Sequence, residues 1–509
     1  MKNLLLFIAL INVTVISAND IIYFSKSPNK GERTGELVVS IPQNRRVKEL
    51  KIFSNNGEQL ELEDKIFGKK IISEINNENK KVIVYQFYAY PKIKMSVTDP
   101  SSAPRMTQAI AKHKIQFNKT SKYIAEVILD NNEKHLTECS FSIPGPIYIG
   151  LMGDSYISGE GCPEKKYDGW NYDKLWDDIN CHRSSKSGAN KAIRDFIRDF
   201  ESLDFIFENV SCSGATISDL ISSRVEDEES RFPCTPAIGW VKRSYRVNSQ
   251  IDQLKSLGRG IDILVTDGGG NDLQFGNLGE DRIKSSIFSM WIFDDGRVNR
   301  GALNNTSDEI MWLQDKYSKL NTEIKSKLNN PKIIFVNYPN PLIGGDGLCK
   351  PSSENNEWFD CWTGGDSRTP KEDWKILQDK VFLKLNSEII EASSKFNWKL
   401  VDVSNRANGH GICECDQPYF NWGSSFNVLD AFRGPTHVAC EEQGDPFGTL
   451  HPNYVGTMRI YYQPIYDTVE KAVNEIVDKE SSLEIELRAK RIANAKENAK
   501  ERAKKAVKE

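Results

Sequence analysis

Gly153-Asp154-Ser155 places one hydroxyl in a turn directly after the apolar run Ile147-Tyr-Ile149. A serine in a tight turn after a buried strand can act as a nucleophile at the carboxyl end of a sheet. The tripeptide alone is also common in ordinary turns. Nucleophilic chemistry therefore requires a base, and donors for a developing oxyanion, elsewhere in the chain.

His451 is the candidate base among only six histidines. It lies in Gly448-Thr-Leu-His-Pro-Asn453, just before the last predicted helix, and a loop there can reach Ser155 across one edge of a sheet. The candidate oxyanion donors are the N–H groups of Ser155 and Gly214 and the side-chain amide of Asn271. Gly214 and Asn271 each follow a predicted strand, although singly they fit a turn glycine and a helix cap.

The elements that must position these residues are short apolar strands that alternate with helices from residue 147 onward. This pattern predicts an α/β fold, a parallel sheet covered by helices on both faces. Residues 19–143 instead contain alternating β-like runs, which predict a small antiparallel β-sandwich-like domain. That domain either binds a ligand such as carbohydrate or serves as a packing module. The predicted division is 1–18, 19–143, 147–477 and a charged helical tail at 478–509.

Taken together, the four blocks resemble the SGNH (GDSL-type) hydrolase family. Gly153-Asp154-Ser155 matches its first block, Gly214 the second, Gly269-Gly-Asn271-Asp272 the third and His451 the last. Four stretches are further similar to a secreted, disulfide-containing esterase branch of that family, namely Gly153–Gly161, Cys181–Ser184, Asn408–Cys413 and His451–Asn453. The resemblance covers roughly 147–477. It implies a three-layer α/β/α domain and an acyl-enzyme mechanism with no cofactor and no metal.

The sequence departs from the family at the group that orients the histidine. The family usually has an aspartate three residues before the histidine, and Gly448 occupies that position here. In part of the esterase branch a main-chain carbonyl takes this role, so the resemblance implies that the carbonyl of Gly448 orients His451. Asp445 is the less favoured alternative, because it would need a different loop path.

Residues 1–18 have the pattern of a secretory signal peptide, which predicts a secreted protein. The ten cysteines suit disulfides in an oxidising compartment, and proximity in the sequence suggests the pairs Cys162–Cys181, Cys212–Cys234 and Cys349–Cys361. The other four cysteines are Cys139, Cys413, Cys415 and Cys440. Four asparagines fit the glycosylation pattern, and they are Asn118, Asn209, Asn304 and Asn305.

A structural zinc site is an alternative use of some of these cysteines. His410, Cys413, Cys415, His437 and Cys440 could supply its ligands. In a secreted chain with ten cysteines, disulfides are the stronger explanation.

The near-balanced charge, 67 Lys and Arg against 71 Asp and Glu, gives no reason to expect a nucleic-acid partner. No stretch after the signal approaches the length of a transmembrane span. The basic tail is either a solvated extension or an attachment to an acidic surface. The hypothesis is a serine esterase acting on lipid, phospholipid or acetylated-glycan esters, with a non-catalytic glycan-binding protein on a hydrolase-like scaffold as the alternative.

Overall fold

The structure is a computed structural model of the chain. It describes residues 22–26, 34–42, 46–54, 73–75, 80–88, 120–142, 146–165, 174–200, 203–226, 245–258, 260–273, 300–344, 347–348, 375, 378–411 and 451–477. The chain divides into two compact units, of which the first contains residues 1–147 with 201–206 and 476–479, and the second contains the remainder.

The first unit contains two antiparallel sheets. One has the strand order β1-β2-β5-β4, and the other has the order β3-β6-β7. This arrangement confirms the antiparallel β fold predicted for the N-terminal part. The strands are β1 (Ile22–Lys26), β2 (Thr34–Pro42), β3 (Val47–Ser54), β4 (Ser73–Ile75), β5 (Lys80–Tyr88), β6 (Thr120–Leu129) and β7 (Lys134–Ser142).

A five-stranded sheet with the order β16-β13-β12-β8-β9 lies almost entirely within the second unit. β12 pairs in parallel with both β8 and β13, and β13 pairs in parallel with β16. Its strands are β8 (Ile147–Met152), β9 (Phe205–Asn209), β12 (Ile263–Thr266), β13 (Lys332–Val336) and β16 (Lys399–Val401). Two short hairpins accompany it, β10 (Arg224–Glu226) with β11 (Tyr245–Val247) and β14 (Ile343–Gly344) with β15 (Gly347–Leu348).

Helices connect these strands. They are α1 (Ser155–Ser158), α2 (Gly188–Asp199), α3 (Ile217–Ile221), α4 (Gln250–Lys255), α5 (Arg300–Lys327), α6 (Leu383–Phe396), α7 (Tyr454–Thr457) and α8 (Gln463–Ile476). A 3₁₀ turn covers Asn271–Leu273, and π-helical turns cover Gln378–Phe382 and Met458–Tyr462. None of the described helices is long and apolar enough to cross a membrane.

The parallel sheet forms the core of the second unit. Every residue of β8 and β12 is buried, as is all of β13 after its first residue. Strands covered on both faces are expected to be continuous apolar runs rather than alternating ones, and these are. The predicted parallel sheet with flanking helices is therefore confirmed.

The strand order places a topological switch point at β8. The chain runs from β8 outward to β9 on one side, and then returns to β12, β13 and β16 on the other. In such sheets the crevice at the carboxyl ends of the strands beside the switch point is where sites form. Ser155, Gly214 and Asn271 follow β8, β9 and β12, so all three lie at this crevice.

Candidate active site

Ser155 and His451 meet at the carboxyl edge of the sheet. Nε2 of His451 lies 2.8 Å from Oγ of Ser155, although 296 positions separate the two residues in the chain. Ser155 is the first residue of α1 and is only 6 % exposed, while the His451 ring packs 5.0 Å from the ring of Tyr156. This is the hydrogen-bond contact that a base needs to remove a proton from a serine hydroxyl.

Gly153 makes the turn before Ser155 possible. Its φ of +144° is in a region that favours glycine, and a Cβ there would lie 1.9 Å from Oδ1 of Asp267. The Gln250 side chain accepts from the Gly153 N–H at 2.7 Å and donates to its carbonyl at 2.9 Å. The buried amide of Gln250 therefore binds both main-chain polar groups of Gly153.

Asp154 caps α1 and lies on a second buried acid. Its Oδ1 accepts from the N–H of Tyr156 at 3.0 Å, and its own N–H donates to Oδ1 of Asp267 at 2.7 Å. Burial raises the pKa of Asp154, although hydrogen bonds from Tyr338 and Tyr156 oppose the shift. Burial and the nearby Asp154 raise the pKa of Asp267 well above its ordinary value. Two acids this close are most stable when they share a proton.

Tyr338 joins the serine turn to the loop after β12. Its hydroxyl donates to Oδ2 of Asp154 at 2.5 Å and accepts from the N–H of Gly270 at 3.1 Å. Asn386 on α6 in turn holds the main chain of Tyr338 through two hydrogen bonds. The relative position of Ser155 and Asn271 is therefore fixed by a buried tyrosine.

Two main-chain N–H groups are available as donors at the site. The N–H of Ser155 belongs to the first turn of a helix, where no intrahelical acceptor exists, and it has no acceptor among the described residues. Gly214 is exposed, and its N–H also has no acceptor among the described residues. Arg224 binds the carbonyls of Ser213 and Gly214 at 3.3 and 2.8 Å, which fixes the opposite side of that loop.

The third predicted donor, Asn271, starts the 3₁₀ turn after β12. Its Nδ2 donates to the carbonyl of Ala215 at 3.1 Å, which links it to the residue after Gly214. An amide nitrogen has two hydrogens, so one is left for a second acceptor. Asp272 supports the same loop, because its carboxylate accepts from the N–H of Ile217 at 2.8 Å and pairs with Lys316 at 3.1 Å.

The loop that carries His451 is anchored to helices on its far side. Asn453 caps α7, and its Oδ1 accepts from the N–H of Gly456 at 2.8 Å. Thr457 at the end of α7 accepts from the N–H of Gly188, the first residue of α2, at 2.8 Å. A Cβ at Gly188 would lie 2.1 Å from the Thr457 carbonyl, so the two helices meet at backbone contact.

The predicted disulfide pairs Cys162–Cys181 and Cys212–Cys234 are wrong. Cys181 is bonded to Cys212, and the buried thiol of Cys162 contacts the carbonyl of Lys186 at 3.7 Å. The loop that contains Cys181 lies against the loop after β9, where Ser213 donates to the Cys181 carbonyl at 3.0 Å. The pairing of Cys181 follows the packing of these two loops and not the nearest cysteine in the sequence.

Of the predicted glycosylation positions, Asn209 has an enclosed Nδ2, and its Oδ1 accepts from the hydroxyl of buried Ser211 at 2.7 Å. Asn304 and Asn305 lie within α5. For Cys139 the structure describes only the backbone, in β7. Other predictions fall outside the described residues, and they concern the signal peptide, the charged tail, Asn118, Cys234, Cys349, Cys361, Cys413, Cys415, His437, Cys440, Asp445 and Gly448.

Sequence reasoning missed the buried groups beneath the serine turn. Asp267, Tyr338 and Gln250 make hydrogen bonds to Gly153 or Asp154, yet no motif marks them. Asp267 directly follows β12, and Tyr338 lies just after β13. Polar residues at strand ends were the only available signal.

Comparison with known proteins gives no match to a protein-family model and no match to a curated protein. Several solved structures do match. An extracellular lipase from Streptomyces rimosus is 15% identical, with 63% of this chain and 99% of that chain covered and a TM-score of 0.39. A phospholipase A1 from Streptomyces albidoflavus gives 15% identity, 64% and 99% coverage and a TM-score of 0.39. The acetylxylan esterase Axe2 from Geobacillus stearothermophilus is 12% identical, with 66% of this chain and 97% of that chain covered and a TM-score of 0.27.

Proposed function

We propose that the protein is a secreted serine esterase of the SGNH type. The observation that carries the proposal is the 2.8 Å contact between Ser155 Oγ and His451 Nε2 at the switch point of the parallel sheet. Ser155 attacks the ester carbonyl carbon while His451 takes its proton. The alcohol then leaves with that proton, and water hydrolyses the acyl-enzyme with His451 again acting as base.

The charge on the tetrahedral oxygen requires donors that are already in place. We assign this role to the N–H groups of Ser155 and Gly214 and to Nδ2 of Asn271. The absence of described acceptors for the two N–H groups supports the assignment. The Ala215 carbonyl, which accepts from Asn271, keeps that amide beside the Gly214 loop.

For the group that orients His451, we propose the carbonyl of Gly448. Such a carbonyl serves because the third member of a triad mainly fixes the imidazole tautomer and stabilises the imidazolium. Asp445→Ala should then retain kcat within about threefold, since a main-chain group does the orienting. A severe loss of kcat in a folded Asp445→Ala protein would assign the role to Asp445 instead.

The decisive experiment combines labelling and turnover. A fluorophosphonate probe should label the wild-type protein at Ser155, and Ser155→Ala should abolish both labelling and hydrolysis of p-nitrophenyl acetate. Ser256→Ala is the matched control, because its hydroxyl is exposed and bonds only locally, to the Gln253 carbonyl. Folded wild-type protein that resists the probe and hydrolyses no ester would favour the glycan-binding alternative.

A substrate panel divides the ester classes. Short- and long-chain acyl esters, phospholipids and acetylated glycans should be compared by kcat/KM, because discrimination between substrates is expressed in that ratio. Secretion is part of the same proposal, and the Cys181–Cys212 disulfide supports an oxidising compartment. Sequencing the amino terminus of the secreted protein should find it after residue 18.

A further inference from the structure

Glu160 is a buried acid directly below the candidate nucleophile. It is 2 % exposed, and its N–H donates to the carbonyl of Ser155 at 3.1 Å as the chain leaves α1. A buried carboxylate is costly unless other groups compensate its charge. The charge of Glu160, close to the turn that carries Ser155, therefore requires hydrogen-bond donors or positive charge from the surrounding loops.

The first group that holds Glu160 is His182. Its Nδ1 lies 2.8 and 3.0 Å from the two carboxylate oxygens, and both side chains are almost fully buried. The ring of His182 stacks on that of Trp176, with centroids 4.5 Å apart and planes 3° from parallel. His182 also follows Cys181, which the disulfide bonds to Cys212.

The second group is Ser213, the residue before the candidate donor Gly214. Its hydroxyl hydrogen-bonds to the Glu160 carboxylate, and its N–H donates to the carbonyl of Cys181 at 3.0 Å. One carboxylate therefore contacts the serine turn, the His182 loop and the Gly214 loop. Movement of Glu160 would change the position of the Gly214 N–H relative to Ser155.

The charge of Glu160 is also placed to act on His451. Burial alone would raise the pKa of Glu160, but His182, the His451 ring and the Ser213 hydroxyl together lower it to about 2. Glu160 is thus ionised throughout the pH range of an esterase. The attraction is mutual, so the same carboxylate stabilises positive charge on the His451 ring. Among the described residues, groups that face His451 include the Ser155 hydroxyl, the Tyr156 ring and the Asp154 carboxyl.

We propose that Glu160 is a positioning residue of the esterase, held by His182, that fixes the Gly214 loop against Ser155 and stabilises the imidazolium of His451. This role rests on the proposed function. In a catalytic triad an aspartate stabilises the imidazolium of the histidine. Here Glu160, five positions after Ser155, would provide that stabilisation.

The test is the pH profile of kcat/KM for p-nitrophenyl acetate in wild type and Glu160→Gln. The variant keeps the size and hydrogen-bonding capacity of the side chain and removes its charge. The midpoint of the acidic limb, which reports the base in the free enzyme, should move down by about half a pH unit or more. The value of kcat should fall about tenfold or more, with KM little changed, because the loss is in the transition state.

Glu388→Gln is the matched control, since Glu388 is a buried acid on α6 that bonds to Gln314 and Lys384 instead. Ser213→Ala provides a second test that does not depend on the folding of Glu160→Gln. It removes a neutral contact and leaves the charge, so kcat should fall while the acidic limb stays in place.

Three outcomes would count against the role. A Glu160→Gln profile that coincides with wild type and Glu388→Gln would overturn it. If Ser213→Ala keeps the wild-type kcat and Glu160→Gln does not fold, Glu160 has a purely structural role. Wild-type protein without Ser155-dependent hydrolysis would instead remove the proposed function itself, and the Ser155→Ala comparison distinguishes that failure from the other two.

Discussion

The N–H of Asp154 donates a 2.7 Å hydrogen bond to Oδ1 of Asp267, so the residue before the candidate nucleophile Ser155 is bound to a second buried acid. The pKa of Asp267 is raised well above 3.8, by burial first and by Asp154 second. Between 3.8 and that raised value the folded chain binds a proton that the unfolded chain has released. Stability contributed by this site therefore falls as the pH rises above 3.8.

Asp267→Asn should flatten this pH dependence. Asparagine keeps an acceptor for the Asp154 N–H, has a donor for the Asp154 carboxyl and cannot ionise. We expect its free energy of unfolding to vary less than that of wild type between about pH 4 and pH 8, as measured by urea unfolding. Asp267→Ala, which removes the acceptor of the Asp154 N–H, should lose about 1–3 kcal/mol. A steeper pH dependence in Asp267→Asn would contradict the shared proton.

Gly153→Ala should be among the most destabilising single methyl additions in the described chain. The added Cβ meets both a positive φ and an atom 1.9 Å away, so a loss of at least about 3 kcal/mol is expected in urea unfolding. Gly258→Ala is the control, because its φ is +70° and nothing lies within 4 Å of its Cβ. Strain alone should cost Gly258→Ala about 1 kcal/mol. Equal losses of unfolding free energy in Gly153→Ala and Gly258→Ala would show that the clash of the added Cβ at position 153 contributes nothing.

Asn271→Ala should lower kcat with little change in KM. Removing one preorganised donor from an oxyanion hole typically costs about 10²–10³ in kcat. Initial rates with p-nitrophenyl acetate measure the loss, and Asn248→Ala on an exposed loop serves as the control. A fall in kcat of less than about threefold would remove Asn271 from the hole.

Replacing Cys181 and Cys212 together by serine should reduce stability and activity in parallel. The bond closes a loop with a sequence separation of 31, for which chain entropy gives about 3–4 kcal/mol. Because Gly214 lies two residues after Cys212, kcat should fall in the variant even where circular dichroism shows it to be folded. Full activity in a folded double variant would mean that the disulfide does not position the Gly214 loop.

The sequence was sufficient to predict the sheet and the meeting of Ser155 with His451. Strands that end in polar turns bring their final residues to one edge, and this rule holds however far apart the residues are in the chain. It could not predict the Glu160–His182 contact, because both residues lie on loops whose paths depend on packing. The disulfide partner of Cys181 was mispredicted for the same reason.

Local propensity also failed at α5. This helix runs from Arg300 to Lys327 and continues through four consecutive polar residues near its start. The run Asn304-Asn-Thr-Ser307 consists of weak helix formers, and tertiary packing overrides such preferences. At the other extreme, Tyr338 carries a buried hydrogen bond to Asp154 with no signal in its own neighbourhood.

The 296 positions between Ser155 and His451 have a consequence for the order of synthesis. A ribosome makes the nucleophile long before the base, and α7 and α8, which follow the base, come later still. A nascent chain that has completed β8, β9, β12 and β13 holds the Ser155 hydroxyl without the proposed base His451. On the proposed mechanism, ester cleavage therefore begins only when almost the entire second unit has been translated and folded, and fragments released earlier are inert.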